Sequence, residues 1–371
     1  MEIREQDKML LRFLFSEAPY SAEELSFLLE GLDIDQEQSE YLLLLAHLGM
    51  RFQWKFFPEK IRPRLEGIYR AARLRNIYGI PWLKAQIDAL HTAEIPVMFL
   101  KGMAMRTYYA PGTARQMSDY DLAVPKERFD EAKALLLDRD PSNCLTEVLP
   151  HAVTIVNNNR KVDLHRRIFA WNDSFVEPLW DAGFTIDFQG TSVYLLDPTD
   201  MIIHLLDSKA RDTILNVHQD RRLMWLFDVR SILDEPSRVD WAATASRGKE
   251  TGSSYYLKML LPVLSEVFPE ILSKQDLAMY FTKDPQDLVR EKQIGRYKEV
   301  LAGYYDYALH HNKSKKSIAY RCRTLRHAWA KYKYYLKPEF ESRNERLTFV
   351  QFLCRLYQAD SLSALLRREF N

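Results

Sequence analysis

The period of the hydrophobic pattern changes twice along this chain, and those two changes constrain the fold more than any other feature. Before residue 95 the apolar positions recur at helical spacing. Leu10, Leu11, Phe13, Leu14 and Phe15 run up to a stop at Pro19, and Ser21 has Glu24 three residues on, a capping-box spacing ahead of Leu25 and Leu28. A third apolar helix holds residues 42–45. Over 63–91 the apolar positions drift at helical period, with Pro81 expected to kink or divide the stretch. From residue 95 the runs become short and are bounded by proline and glycine. Residues 95–100 read as a buried strand, 103–109 as a short helix, 119–124 as an alternating strand and 125–136 as a helix. Residues 151–156 and 161–165 flank Asn157, Asn158 and Asn159 and read as a hairpin. A further strand at 192–195 closes the unit. Asp197-Pro198 then opens a return to helix, expected over 201–209, 215–233, 255–267, 293–309 and 318–336.

The fold class is therefore α/β (α+β). A small mixed sheet of order β-α-β-α-β-β, within 95–196, stands between helical regions at 1–94 and 197–371. Only 12 glycines in 371 residues fit long helices better than a glycine-rich β architecture, and 47% hydrophobic residues exclude overall disorder. No apolar run approaches the ~18–20 residues of a membrane span, and the charged start has no apolar run behind it. Cys144, Cys322 and Cys354 are too few and too scattered for a disulfide framework or a zinc knuckle. The expectation is a soluble, cytoplasmic protein.

Within the sheet, Asp119 and Asp121 are one residue apart on a strand, so both carboxylates face the same way, about 6.6 Å apart along it. Such a pair repels unless a cation lies between its members. Mg²⁺, or Mn²⁺, is the hard oxygen-loving ion that phosphates complete. Asp163 stands between apolar Val162 and Leu164 on a second strand and faces the less apolar side. Three carboxylates on neighbouring strands suit two metals and an in-line phosphoryl displacement. Upstream, Lys101-Gly102 lies at a strand-to-helix junction, where glycine allows backbone close to a phosphate and the helix start offers free N–H groups. Lys101 and Arg115 can add positive charge.

In combination, Phe99-Leu100-Lys101-Gly102, then Arg115-Gln116-Met117-Ser118-Asp119-Tyr120-Asp121, then Val162-Asp163-Leu164-His165 resemble the nucleotidyltransferases of the DNA polymerase β superfamily. The likeness is greatest to an uncharacterised bacterial branch and covers about residues 63–235, including the helical stretch 222–228. What the resemblance implies is transfer of an NMP from an NTP, ATP among them, to an acceptor hydroxyl. Asp119 and Asp121 would bind both metals, and Asp163 would bind the catalytic metal and deprotonate or orient the acceptor. Where the wider superfamily has Gly-Ser or Gly-Gly, this chain has Gly102-Met103, so a small hydroxyl at the phosphates is missing.

Other roles stay open on the sequence alone. Arg115 can touch phosphate or pair with Asp119 or Glu127. Ser118 can be a turn residue or a ligand contact. His165 can orient a carboxylate or close a strand end. His204, Asp207 and Asp228, on helices, read as packing and capping residues or as lining the cleft. Residues 310–335 carry eight Lys and Arg, no acids and five interleaved Tyr and Trp, which suits either a polyanion such as RNA or an amphipathic helix. Asp-x-Asp also serves nucleotide-sugar glycosyltransferases, and a catalytically silent scaffold is a third reading.

Overall fold

The computed structural model describes residues 3–148, 151–169, 176–215, 223–234 and 239–281. Four helices lead: α1 (Glu5–Phe15), α2 (Ala22–Leu29), α3 (Ser39–Arg51) and α4 (Arg62–Thr92). Ser21 and Glu24 cap α2 reciprocally, as their spacing requires. Pro81 does not divide α4. The helix runs through it for 31 residues, held by a buried face that includes Leu65, Tyr69, Ala72, Leu83, Ile87 and Leu90. Packing of that face outweighs one lost backbone hydrogen bond.

The sheet follows. Its strands are β1 (Met98–Phe99), β2 (Tyr120–Ala123), β3 (Cys144–Val148), β4 (Ala152–Asn157), β5 (Arg160–His165), β6 (Phe184–Phe188) and β7 (Thr191–Leu195). Between them lie α5 (Lys101–Met105), α6 (Phe129–Asp138) and α7 (Val176–Ala182). The strand order is β3-β4-β5-β2-β1-β7-β6, with β2/β5 and β1/β7 parallel and the rest antiparallel. The sheet is larger than the sequence suggests. β3, β6 and the helix α7 are additional, and α5 is shorter than the stretch 103–109. The hairpin at 157–160 is as expected, with Asn158 in the left-handed region at φ 53°.

Helices α8 (Pro198–Leu215), α9 (Met224–Ile232), α10 (Trp241–Glu250), α11 (Ser254–Val267) and α12 (Lys274–Tyr280) complete the described residues. Asp197 caps α8 through the Thr199 amide at 2.9 Å. α8 is twice the expected length, and α10 and α12 are additional. The helices expected over 293–309 and 318–336, the basic-aromatic stretch 310–335, Cys322 and Cys354 lie outside the described residues, as does 216–222 of the helix expected over 215–233. No described helix is long and apolar enough to cross a membrane.

One hydrophobic cluster joins all three parts: Leu10, Leu11 and Leu14 of α1, Leu122 and Leu164 of the sheet, and Leu257 and Leu264 of α11 are each under 5% exposed and belong to it. α1 packs on the far end of the described chain, with Phe15 against Phe227 and Phe268 and Arg12 donating to the Val267 and Glu266 carbonyls.

Candidate active site

Strand alternation divides the sheet centre into two faces. Leu122, Val153, Ile155, Val162 and Leu164 are buried on one. Asp121, Asp163 and His165 fall on the other, with Thr154 opposite Asp163. β2 and β5 pair in parallel register with Asp121 directly beside Asp163. Asp119 stands just outside β2, at the mouth of the strand pair rather than within it. Its Oδ1 accepts from the Ser118 hydroxyl at 3.2 Å.

Asp121 is the buried member, 4% exposed. Lys101 Nζ donates to its Oδ1 at 2.7 Å, and so does His165 Nε2 at 3.0 Å. A carboxylate only accepts, so that ring nitrogen carries the proton. Burial alone would push the Asp121 pKa up; Lys101 and His165 overcome it and hold the carboxyl well below the usual range. His165 thus serves Asp121, not Asp163, its neighbour two residues away. Asp163 accepts from Thr154 Oγ1 at 2.6 Å. Lys161 Nζ bridges the remaining acids, 3.4 Å from Asp163 Oδ2 and 3.6 Å from Asp119 Oδ2. Asp119 is pushed up, first by burial and then by the charges of Asp121 and Asp163.

Among the described residues, no three His, Cys, Asp or Glu side chains already form a cage for a metal ion. Two lysine ammoniums supply the positive charge at the carboxylates. The donor set nevertheless suits a hard dication: three carboxylates, crowded enough that Asp119 feels both others. Lys101 and Lys161 mark where cationic charge is accommodated.

The Lys101-Gly102 turn differs from its reading in sequence. The left-handed residue is Lys101, at φ 43°, a conformation that costs a non-glycine side chain about 1 kcal/mol. Gly102 contributes space instead. A Cβ there would meet Arg115 Nη1 at 2.8 Å and the Met117 side chain at 3.2 Å. Met103, in place of the superfamily's small residue, is buried in the core. Arg115 pairs with neither Asp119 nor Glu127. It forks onto Asp228 of α9, through Nη2 to Oδ2 at 2.8 Å and Nε to Oδ1 at 3.3 Å, and Tyr109 also donates to Asp228.

The structure therefore brings Lys101, Asp119, Asp121, Asp163, Ser118 and His165 together. Arg115 lies behind the turn. Thr154 and Lys161 join them without having been singled out, and Tyr109 and Asp228 lie behind the turn with Arg115. Lys161 was legible, two residues before Asp163 on the same strand face; Thr154 needed the hairpin register, and Asp228 is 113 residues from its partner.

No curated protein matches the sequence. Solved structures align loosely. They include the solution structure of the antibiotic-resistance factor ANT(2'')-Ia (14% identity, 48% of this chain and 95% of that one, TM-score 0.37) and the crystal structure of ANT(2'')-Ia in complex with adenylyl-2''-tobramycin (17%, 45% and 97%, TM-score 0.34). A third is an antigenic nucleotidyltransferase-like protein from Paracoccidioides brasiliensis (15%, 52% and 90%, TM-score 0.34). A family model described as an uncharacterised nucleotidyltransferase matches residues 36–269, well over half of the chain and all of the site just described, and the chain belongs to that family.

Proposed function

We propose that the protein transfers an NMP from an NTP to an acceptor hydroxyl with release of pyrophosphate, and that Asp119, Asp121 and Asp163 hold Mg²⁺ or Mn²⁺ while it does so. The observation that supports this reading best is the side-by-side placement of Asp121 and Asp163 in the β2–β5 register, with Lys101 of the strand-to-helix turn bonded to Asp121.

The roles follow from the surroundings of each side chain. Gly102 lets the Arg115 side chain close against the turn, and Lys101 offers a triphosphate positive charge. Ser118 steadies Asp119. His165 fixes one oxygen of Asp121 and so the direction of the other. Thr154 occupies Oδ1 of Asp163, which leaves Oδ2, now shared with Lys161, to orient the acceptor hydroxyl and take its proton. The acceptor oxygen bonds to the α-phosphorus as the α–β bridging bond breaks, and its electrons leave with pyrophosphate. When bound, the metal pair supplies the charge that stabilises the attacking and leaving oxygens. The acceptor is a small molecule, a sugar, a protein hydroxyl or an RNA end, and the chemistry of the site is common to all four.

A thermal scan with each NTP, with and without Mg²⁺ or Mn²⁺, tests the reading. A native-state ligand at a hundredfold excess over its Kd stabilises by about 2.7 kcal/mol. Wild type should gain that much from an NTP only with metal, and Asp163→Asn should lose the gain while keeping its ligand-free midpoint. Asp121→Asn should lose it too, with a lower midpoint because Lys101 and His165 lose their buried partner. Stabilisation by a UDP- or GDP-sugar and by no NTP would replace this reading with glycosyl transfer.

A further inference from the structure

We infer that Asp228 is a positioning residue for the phosphate-binding turn, acting through Arg115; the inference rests on the proposed nucleotidyl transfer. Arg115 has three guanidinium nitrogens. Asp228 takes Nε and Nη2, and Nη1 lies in the space that a Gly102 side chain would fill. That fork fixes the plane of the guanidinium, and therefore how far Nη1 presses toward the turn. The turn needs such support, because Lys101 is held at φ 43° and no local glycine occupies that residue. The pair is well walled in: the Asp228 side chain is 2% exposed and that of Arg115 19%. Tyr109, in the segment that follows α5, donates to the same carboxylate, so α9 ties down both the turn and the chain leaving it.

The other anchors act on the same segment. Tyr69 donates to the Gly112 carbonyl, His47 Nε2 to that of Ala114, and Asn76 Nδ2 to that of Arg115 at 2.9 Å. Helices α3 and α4 thus hold the backbone of 112–115, while α9 sets its one side chain that reaches Gly102. On this geometry Asp228 neutralises Arg115, so the arginine shapes the turn and Lys101 carries the charge toward phosphate.

The test is isothermal titration of Mg·NTP, and of Mg·tripolyphosphate as a base-free probe, into the full chain. Wild type, Asp228→Asn, Arg115→Ala, the Arg115→Ala/Asp228→Ala double variant and Asp228→Glu are compared. Asp228→Asn should weaken both ligands about tenfold, equally, with circular dichroism unchanged. The double variant should be no weaker than the poorer single one, because the two residues act as a unit. Asp228→Glu should recover part of the loss. Should Asp228→Asn fail to fold, Tyr109→Phe removes one bond from the carboxylate without leaving a buried charge and should cost about threefold. Unchanged affinities in folded variants, with only the melting midpoint lowered, would overturn the inference and leave the proposed function standing. A wild type that binds no NTP would overturn both.

Discussion

At the scale of single residues, the buried His47 shows how the site's framework is tied to pH. Its Nε2 donates to a carbonyl, so the ring is held in one tautomer, and burial pulls its pKa down to about 4. In the unfolded chain the same ring titrates near 6.5. The folded value is depressed, so its stabilising contribution is complete above pH 6.5 and is lost as pH falls toward 4. The loss is about 3 kcal/mol. Denaturant titrations at stepped pH should show this decline in wild type and not in His47→Gln. The carboxylates were legible at this scale because strand alternation makes an i, i+2 pair a shared face, and Lys101-Gly102 because a junction between strand and helix needs an unusual backbone. Which residue bears that backbone was not legible: the space at Gly102 is taken by Arg115, and only the tertiary fold shows it.

Among the elements, the two strands not read from the sequence are the two edges of the sheet. In β3 the consecutive residues Cys144 and Leu145 are both exposed, so no buried face marks the strand, whereas β6 does alternate, with Ile186 and Phe188 half-buried between exposed Thr185 and Asp187, and was legible. The central strands and the hairpin were readable as short apolar runs bounded by proline, glycine or the asparagine turn. A second pH-sensitive group sits where α8 meets α10. Asp200 accepts from Arg247 at 2.8 Å, yet burial, against that arginine and aided by Asp197, pushes it up to about 6. This folded value is raised above the ordinary ~3.9 of the unfolded chain, so the sign is opposite to that of His47. Its contribution is complete below about pH 4 and is lost as pH rises through 6, a change of about 3 kcal/mol. Asp200→Asn should remove that loss and be more stable than wild type at pH 8, with little difference at pH 4. Equal unfolding free energies of the two proteins at both values would refute the assignment.

At the scale of the molecule, the sheet is embedded in helices from both sides of the sequence, and one core runs through all of them. The sequence showed where the texture changed, at 95 and 197, but the sharing of a core across those points depends on contacts that no local pattern records. Removing residues 1–21 would delete Leu10, Leu11 and Leu14, each worth about 2–5 kcal/mol in such a core. A chain begun at Ala22 should therefore lose its cooperative thermal transition and its NTP response together. Retention of a sharp transition near the full-length midpoint would contradict this. The bonds from Arg12 to Glu266 and Val267 also set a timetable. They span about 255 residues, and at ~5–20 residues per second a ribosome needs about 10–50 s to make the second partner after the first. For that interval the apolar face of α1 around Phe15 is without its final cover, so assembly of the native core is a late event in synthesis.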